Sequence, residues 1–210
     1  MSGNAADWRA GVTAEELVDF VLQSWQLTAN AVAASPSEFL GRDKETRVFR
    51  RLREEIANVA TDVRIIGPDS QLRFNRWGID VVCADGDCQM PIEGKYKIAS
   101  DGAIPDNRKA AFFDLFKLEQ YLDSGQYVGG LFLWLTNEPA YRQQASGDSV
   151  DFSTHEGRAY AAGTQLRAAR SRNQMPLPLV LKHSYKFDWQ RVDALGQWYS
   201  LAIRVGPNAA

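Results

Sequence analysis

Trp77-Gly78-Ile79-Asp80-Val81-Val82-Cys83-Ala84-Asp85-Gly86-Asp87-Cys88-Gln89-Met90-Pro91-Ile92-Glu93-Gly94-Lys95-Tyr96-Lys97-Ile98 is the stretch on which the fold turns. Its apolar middle, Ile79 to Cys83, predicts a strand running from Trp77 to Ala84. Asp85-Gly86-Asp87 is a turn signal, and Pro91 to Ile98 predicts the returning strand, so the whole reads as a β-hairpin. Side chains alternate across a strand, which puts Glu93 and Lys95 on one face. With a suitable register Asp80 reaches that face from the neighbouring arm, and two carboxylates and one ammonium then share a small space. The plainer reading of the same residues is a cross-strand salt bridge, Lys95 with Asp80 or Glu93, on a solvated sheet face.

Helical signals flank the hairpin. Upstream, Val48, Leu52, Ile56 and Val59 keep a 3.6-residue period and predict a helix from about Asp43 to Ala60, with Glu45 and Glu55 near its apolar stripe. A carboxylate on a buried face is costly unless paired or bound to metal, although a single Glu more often reaches solvent from the stripe's edge. Further upstream, Thr13-Ala-Glu-Glu reads as a capping box that opens a helix carrying Leu17, Phe20, Val21 and Ser24. Val63-Arg-Ile-Ile predicts a short strand and Gly67-Pro68-Asp69-Ser70 a turn.

Downstream, Asp106 to Leu122 predicts a helix that buries Ala110, Phe113, Leu115 or Phe116, and Leu118, with Gly125 ending it. Gly129-Gly-Leu-Phe-Leu-Trp-Leu-Thr-Asn is nearly continuous apolar sequence, as in a central strand buried on both faces. Residues 142–176 predict loop with a helix near Gly157 to Arg170, and Leu177 to Trp189 and Trp198 to Val205 predict later strands. The order implies an α/β fold, a mixed central sheet flanked by helices. At 210 residues it suits one domain: a helical extension over 1–40, a core over 43–136, and loop and strands over 137–210.

Composition narrows the function classes. Hydrophobic residues make up 45% and charged residues 24%, an ordinary globular balance, and six Trp, seven Tyr and ten Phe argue against disorder. The longest apolar runs, such as Val128 to Leu135, fall well short of the roughly 20 residues of a spanning helix, and no secretory signal is evident. No membrane association and a cytoplasmic location are expected. Cys83 and Cys88 are too few for a disulfide framework; they face each other across the hairpin or, more plainly, are two reduced thiols.

The net charge of −2 excludes a polycation, yet residues 42–53 hold six bases against Asp43 and Glu45, and residues 158–191 hold seven against Asp188. Such surfaces meet phosphates, or are simply a solvated helix face and loop. Other chemistries fit poorly. Gly94-Lys95 is no P-loop, since no Gly stands at position 89 and Tyr96 replaces Ser or Thr. There is no Gly-x-Ser-x-Gly elbow. A zinc site needs both His and both Cys to converge, and Cys83 and Cys88 lack typical spacing. His155-Glu156-Gly157-Arg158 reads as a loop hydrogen-bond network, with substrate or phosphate binding as the alternative.

Asp80, then Glu93-Gly94-Lys95 after twelve intervening residues, with a glutamate-bearing helix before and an amphipathic helix after, resembles the PD-(D/E)xK or restriction-endonuclease-like nuclease superfamily. The resemblance covers residues 43–136 and no particular subfamily. Ile79 stands where the name-giving Pro is often found, a Pro that many members lack. It implies a restriction-endonuclease-like core and a nuclease hydrolysing phosphodiester bonds, in DNA rather than RNA, with Mg²⁺ or Mn²⁺ as cofactor. The alternative is a non-cleaving nucleic-acid-binding or regulatory protein on the same fold.

In the resemblance Asp80, Glu93 and the Gly94 carbonyl hold the metal, which neutralises the phosphate and lowers the pKa of the attacking water. Lys95 orients that water and stabilises the developing charge. Glu45 is the helix carboxylate beside the metal, preferred to Glu55 because Val48 and Leu52 follow it at helical spacing. Arg108, Lys109, Lys117 and Gln120 line a phosphate path or are plain surface charge. A homodimer is a family expectation.

Overall fold

The computed structural model describes residues 12–66, 73–74, 77–86, 88–168 and 176–206. Helix α1 (Ala14–Ala34) starts at the capping box: the Thr13 hydroxyl accepts from the Glu16 amide at 3.2 Å and the Glu16 carboxylate accepts from the Thr13 amide at 2.9 Å. Its Leu17, Val21, Trp25, Ala29 and Val32 form one buried stripe. Helix α2 (Lys44–Val59) buries Val48, Phe49, Leu52, Glu55 and Ile56 and leaves its basic residues on the other side. The two helices meet where Trp25 stacks on Phe49, 6.4 Å between ring centres.

Strands β1 (Arg64–Ile66), β2 (Arg73–Phe74), β3 (Trp77–Gly78), β4 (Val81–Asp85) and β5 (Cys88–Lys97) come next. Helix α3 (Ile104–Asp123) crosses over to β6 (Gly130–Thr136), and β7 (Arg158–Tyr160), β8 (Gln165–Leu166), β9 (Leu179–Val180), β10 (Tyr185–Phe187), β11 (Gln190–Arg191) and β12 (Tyr199–Val205) follow. The main sheet has the order β1-β4-β5-β6-β12-β11, in which only β5 and β6 run parallel. That parallel pair needs a crossover, which α3 supplies.

Both faces of the sheet are covered. Leu131, Leu133 and Leu135 of β6, with Met90, Ile92 and Tyr96 of β5, pack under α1 and α2. Phe132 and Trp134 face the opposite core, built on α3. Every residue of β6 is buried, as its unbroken apolar sequence requires. By the same alternation Glu93 and Lys95 point toward α3. Helix α3 is itself wedged between the sheet and the C-terminal elements: Phe112 lies against Phe152, Tyr160 and Phe187, and Glu119 accepts from the Lys182 and His183 amides and the Tyr185 hydroxyl.

Three expectations are corrected. Over its described part, 157–168, the helix expected near Gly157 to Arg170 is instead the short strands β7 and β8 with turns between; Gly157 and Gly163 take positive φ, which ends regular backbone there. The strand from Leu177 to Trp189 is divided into β9 and β10. The strand from Trp77 to Ala84 breaks at Ile79-Asp80, so β3 pairs with β2 and β4 with β5. Of the two readings of Cys83 and Cys88 the plainer one holds: both are free thiols, and the hairpin register sets Cys83 against Met90 and Asp85 against Cys88. The turn expected at 67–70 lies outside the described residues, as does Asp87 of the hairpin turn.

Candidate functional site

The break in the first hairpin arm builds the site. The β4–β5 ladder begins at Val81 opposite Ile92, so beyond it Gly94 has no partner on β4 and its amide donates to Asp80 Oδ2 at 3.0 Å. Glu93 is 1% exposed, and both of its oxygens are engaged from α3: Lys117 Nζ lies 2.6 Å from Oε2, and the Tyr121 hydroxyl donates to Oε1 at 3.0 Å. Lys95 pairs with Asp114 of α3 and lies 3.4 Å from the Gly94 carbonyl. Lys117 also reaches Asp114, at 2.9 Å. Two carboxylates, Glu93 and Asp114, and two ammoniums, Lys95 and Lys117, are thus enclosed together, with Asp80 partly buried at their edge. A solvated cross-strand pair is not what forms; Lys95 turns to α3 rather than to Glu93 or Asp80.

Burial and charge set the protonation of each group. Burial, then Asp80 and Asp114, push the Glu93 carboxyl well above its usual range, with Lys117 opposing. Asp80 is raised by burial and by Asp114, against the pull of Lys95, the Gly94 amide and Lys117. Burial works against the charge on Lys95, but Asp114, Glu45 and Asp80 more than offset it and hold its pKa above the ordinary lysine value. Lys117 follows the same pattern through Asp114 and Glu93. Asp114 has burial against it, yet its two lysines draw its carboxyl below the usual range. Asp114 is therefore the ionised hub of two permanent cations. Asp80 and Glu93 are the pair whose ionisation is disfavoured and which a further cation would relieve.

That donor set fits a hard divalent ion. It is made of oxygen, and Mg²⁺ commonly takes one or two carboxylates and keeps several waters. Asp80, Glu93 and the Gly94 carbonyl offer oxygens of that kind, although Lys117 and Tyr121 already bond the two Glu93 oxygens and Lys95 lies 3.4 Å from the Gly94 carbonyl. Among the described residues no group of three or more His, Cys, Asp and Glu side chains stands at metal-binding spacing.

On the α2 side the site opens. A cleft of about 240 Å³ is lined by Glu45, Thr46, Phe49 and Arg53 of α2 and by Asp80. Glu45 stands 3.0 Å from Lys97 Nζ. Glu55 is turned elsewhere, paired with Arg51 one helical turn away. Gly94 is what lets α2 lie so close: a Cβ there would sit 2.2 Å from Phe49 Cζ and 2.7 Å from the Leu133 carbonyl oxygen.

Of the residues expected along a phosphate path, Lys117 joins the charge cluster, whereas Arg108 and Lys109 are corrected. Arg108 is 4% exposed and donates to the Ala140 and Gln143 carbonyls, and Lys109 pairs with Asp148. Both are buried and pin the loop after β6 rather than lining the cleft. Gln120 is half-buried. His155 to Arg158 form the loop network: the His155 ring bonds the Ser153 hydroxyl, Glu156 accepts from the Trp189 amide, and Arg158 lies over Tyr160.

Asp114 and Tyr121 escaped notice in the sequence. Their signal was present: Asp114, Lys117 and Tyr121 fall at i, i+3 and i+7, one helical face, inside a run otherwise made largely of Phe, Leu and Ala. Compared with family models, curated proteins and solved structures, the chain matches none.

Proposed function

We propose that this chain is a metal-dependent nuclease on a restriction-endonuclease-like core, hydrolysing phosphodiester bonds of DNA in preference to RNA. The observation that carries the reading is the convergence of Asp80, which lines the α2-side cleft, with the buried Glu93 and Lys95 just behind it, both carboxyls held above their usual range. The mixed sheet with helices on both faces is in keeping with it.

Asp80, Glu93 and the Gly94 carbonyl would hold Mg²⁺ or Mn²⁺, which supplies charge neutralisation of the phosphate and a more acidic water. Lys95 keeps its proton, so it serves as a fixed positive charge and hydrogen-bond donor, never as the base. Asp114 positions that ammonium from behind. Glu45, across the cleft from the Gly94 side, is placed to accept a hydrogen bond from a water entering it.

The test is cleavage of supercoiled plasmid and of single-stranded DNA with Mg²⁺ or Mn²⁺, wild type against Glu93→Ala. Metal-dependent nicking lost in the variant supports the assignment; equal nicking in both moves the activity away from this site. A second reading, a non-cleaving nucleic-acid-binding protein on the same fold, draws on one observation: Lys117 and Tyr121 already satisfy both oxygens of Glu93. It predicts DNA binding without cleavage in either metal.

A further inference from the structure

Lys44 is tied to Asp101, Arg47 to the Glu38 carbonyl, Arg51 to Glu55, Lys97 to Glu45, and Lys95 and Lys117 to Asp114. The basic groups around the site are thus mostly consumed by the fold. Arg50 and Arg53 are different. Neither has a hydrogen-bond or ion-pair partner among the described residues. They sit three residues apart on α2, in line with Thr46, and so share one helical face. Arg50 is exposed on that face, and Arg53 lines the same cleft as Glu45 and Asp80.

We infer that Arg50 and Arg53 form a phosphate-holding strip that guides a DNA backbone along α2 into the Asp80 cleft. The inference rests on the nuclease reading for what happens at the cleft floor, and adds where the substrate lies. Two unneutralised guanidiniums make a local positive field on a chain of net charge −2. Guanidinium geometry suits phosphate oxygens, and nothing within the described fold competes for these two. Glu45 and Asp80 offer a phosphate no positive charge, so the arginines supply the attraction that brings it into the cleft.

The experiment is fluorescence anisotropy of a labelled duplex in EDTA and in Ca²⁺, across a salt series, for wild type, R50Q/R53Q and the control K182Q/K186Q. The control removes as many charges from exposed positions remote from the cleft. Affinity is expected to fall on the order of tenfold in R50Q/R53Q, with the slope of log K against log salt shallower by about 2, and to change little in the control. Equal losses in both double variants would reduce the effect to net charge and overturn the strip. So would an unchanged R50Q/R53Q, or no duplex binding by wild type. Plasmid cleavage run in parallel separates the two claims: strip-dependent binding with no cleavage in Mg²⁺ or Mn²⁺ would leave the strip standing while the hydrolytic reading falls.

Discussion

The two sides of the β5 strand end handle charge in opposite ways. Toward α3, Glu93, Lys95, Asp114 and Lys117 are enclosed and satisfy one another, with Tyr121 completing the shell. Toward α2, Glu45 and Asp80 line an open cleft with Arg53, and Arg50 and Arg53 have no described partner. The closed side contributes to stability and fixes a lysine's charge; the open side can take a ligand. A buried network is costly to break because a surviving partner is left charged in a poor solvent, whereas an arginine with water in reach and no partner among the described residues costs the fold little to lose.

The largest expected effect therefore comes from the hub. Asp114→Asn leaves Lys95 without its carboxylate and should destabilise the chain by about 3–5 kcal/mol at neutral pH, measured by urea unfolding. The pH dependence has a definite sign. The carboxyl of Asp114 is depressed in the folded state, so its contribution is present above about pH 3.8, the unfolded value, and is lost as pH falls through the lower folded value. The gap between wild type and Asp114→Asn should close in that acidic window. A gap independent of pH would mean the carboxylate charge is not what matters.

Gly94→Ala attacks the boundary between the two sides. The added Cβ meets the Phe49 ring and the Leu133 carbonyl, and a cost of about 1–3 kcal/mol is expected from a melting curve. Adding Phe49→Leu should restore only part of it, since the backbone carbonyl stays where it is. Full recovery would show that Phe49 alone dictates the glycine.

Asp80→Asn should weaken Mn²⁺ binding by about tenfold, or ~1.4 kcal/mol, in calorimetry, while the fold holds because the amide oxygen can still accept from Gly94. Unchanged affinity would remove Asp80 from the ligand set. The smallest expected change is in stability for Arg53→Gln, within about 0.5 kcal/mol by urea unfolding. A larger loss would reveal a structural role for the arginine and blur the contrast with the α3 side.

Much of this arrangement was legible in the chain, and the reasons are local. The Thr13–Glu16 capping box and the period of Val48, Leu52 and Ile56 act over one or two helical turns, so they show in sequence. The unbroken apolar run of β6 marks a strand covered on both faces. The pairing of Glu93 and Lys95 on one face follows from strand alternation. The C-terminal half was less legible: its short strands β7 to β10 each span two or three residues, too few for a period to register; β7 and β10 are held by ring contacts with Phe112 of α3, and β8 and β9 by pairing with each other.

The sequence by itself determined a hairpin, the flanking helices, the central strand and the shared face of Glu93 and Lys95; the break at Ile79-Asp80 that brings Asp80 to the Gly94 amide came with the tertiary structure. Only the tertiary structure decided which partners those groups take. Lys95 and Lys117 meet on Asp114, Glu45 rather than Glu55 faces the cleft, and Arg108 and Lys109 turn inward, because α3 and α2 are laid on opposite faces of the same strand end. Backbone periodicity is encoded over a few residues. Charge neutralisation is a property of distances across the chain, and it exists only once the helices are packed.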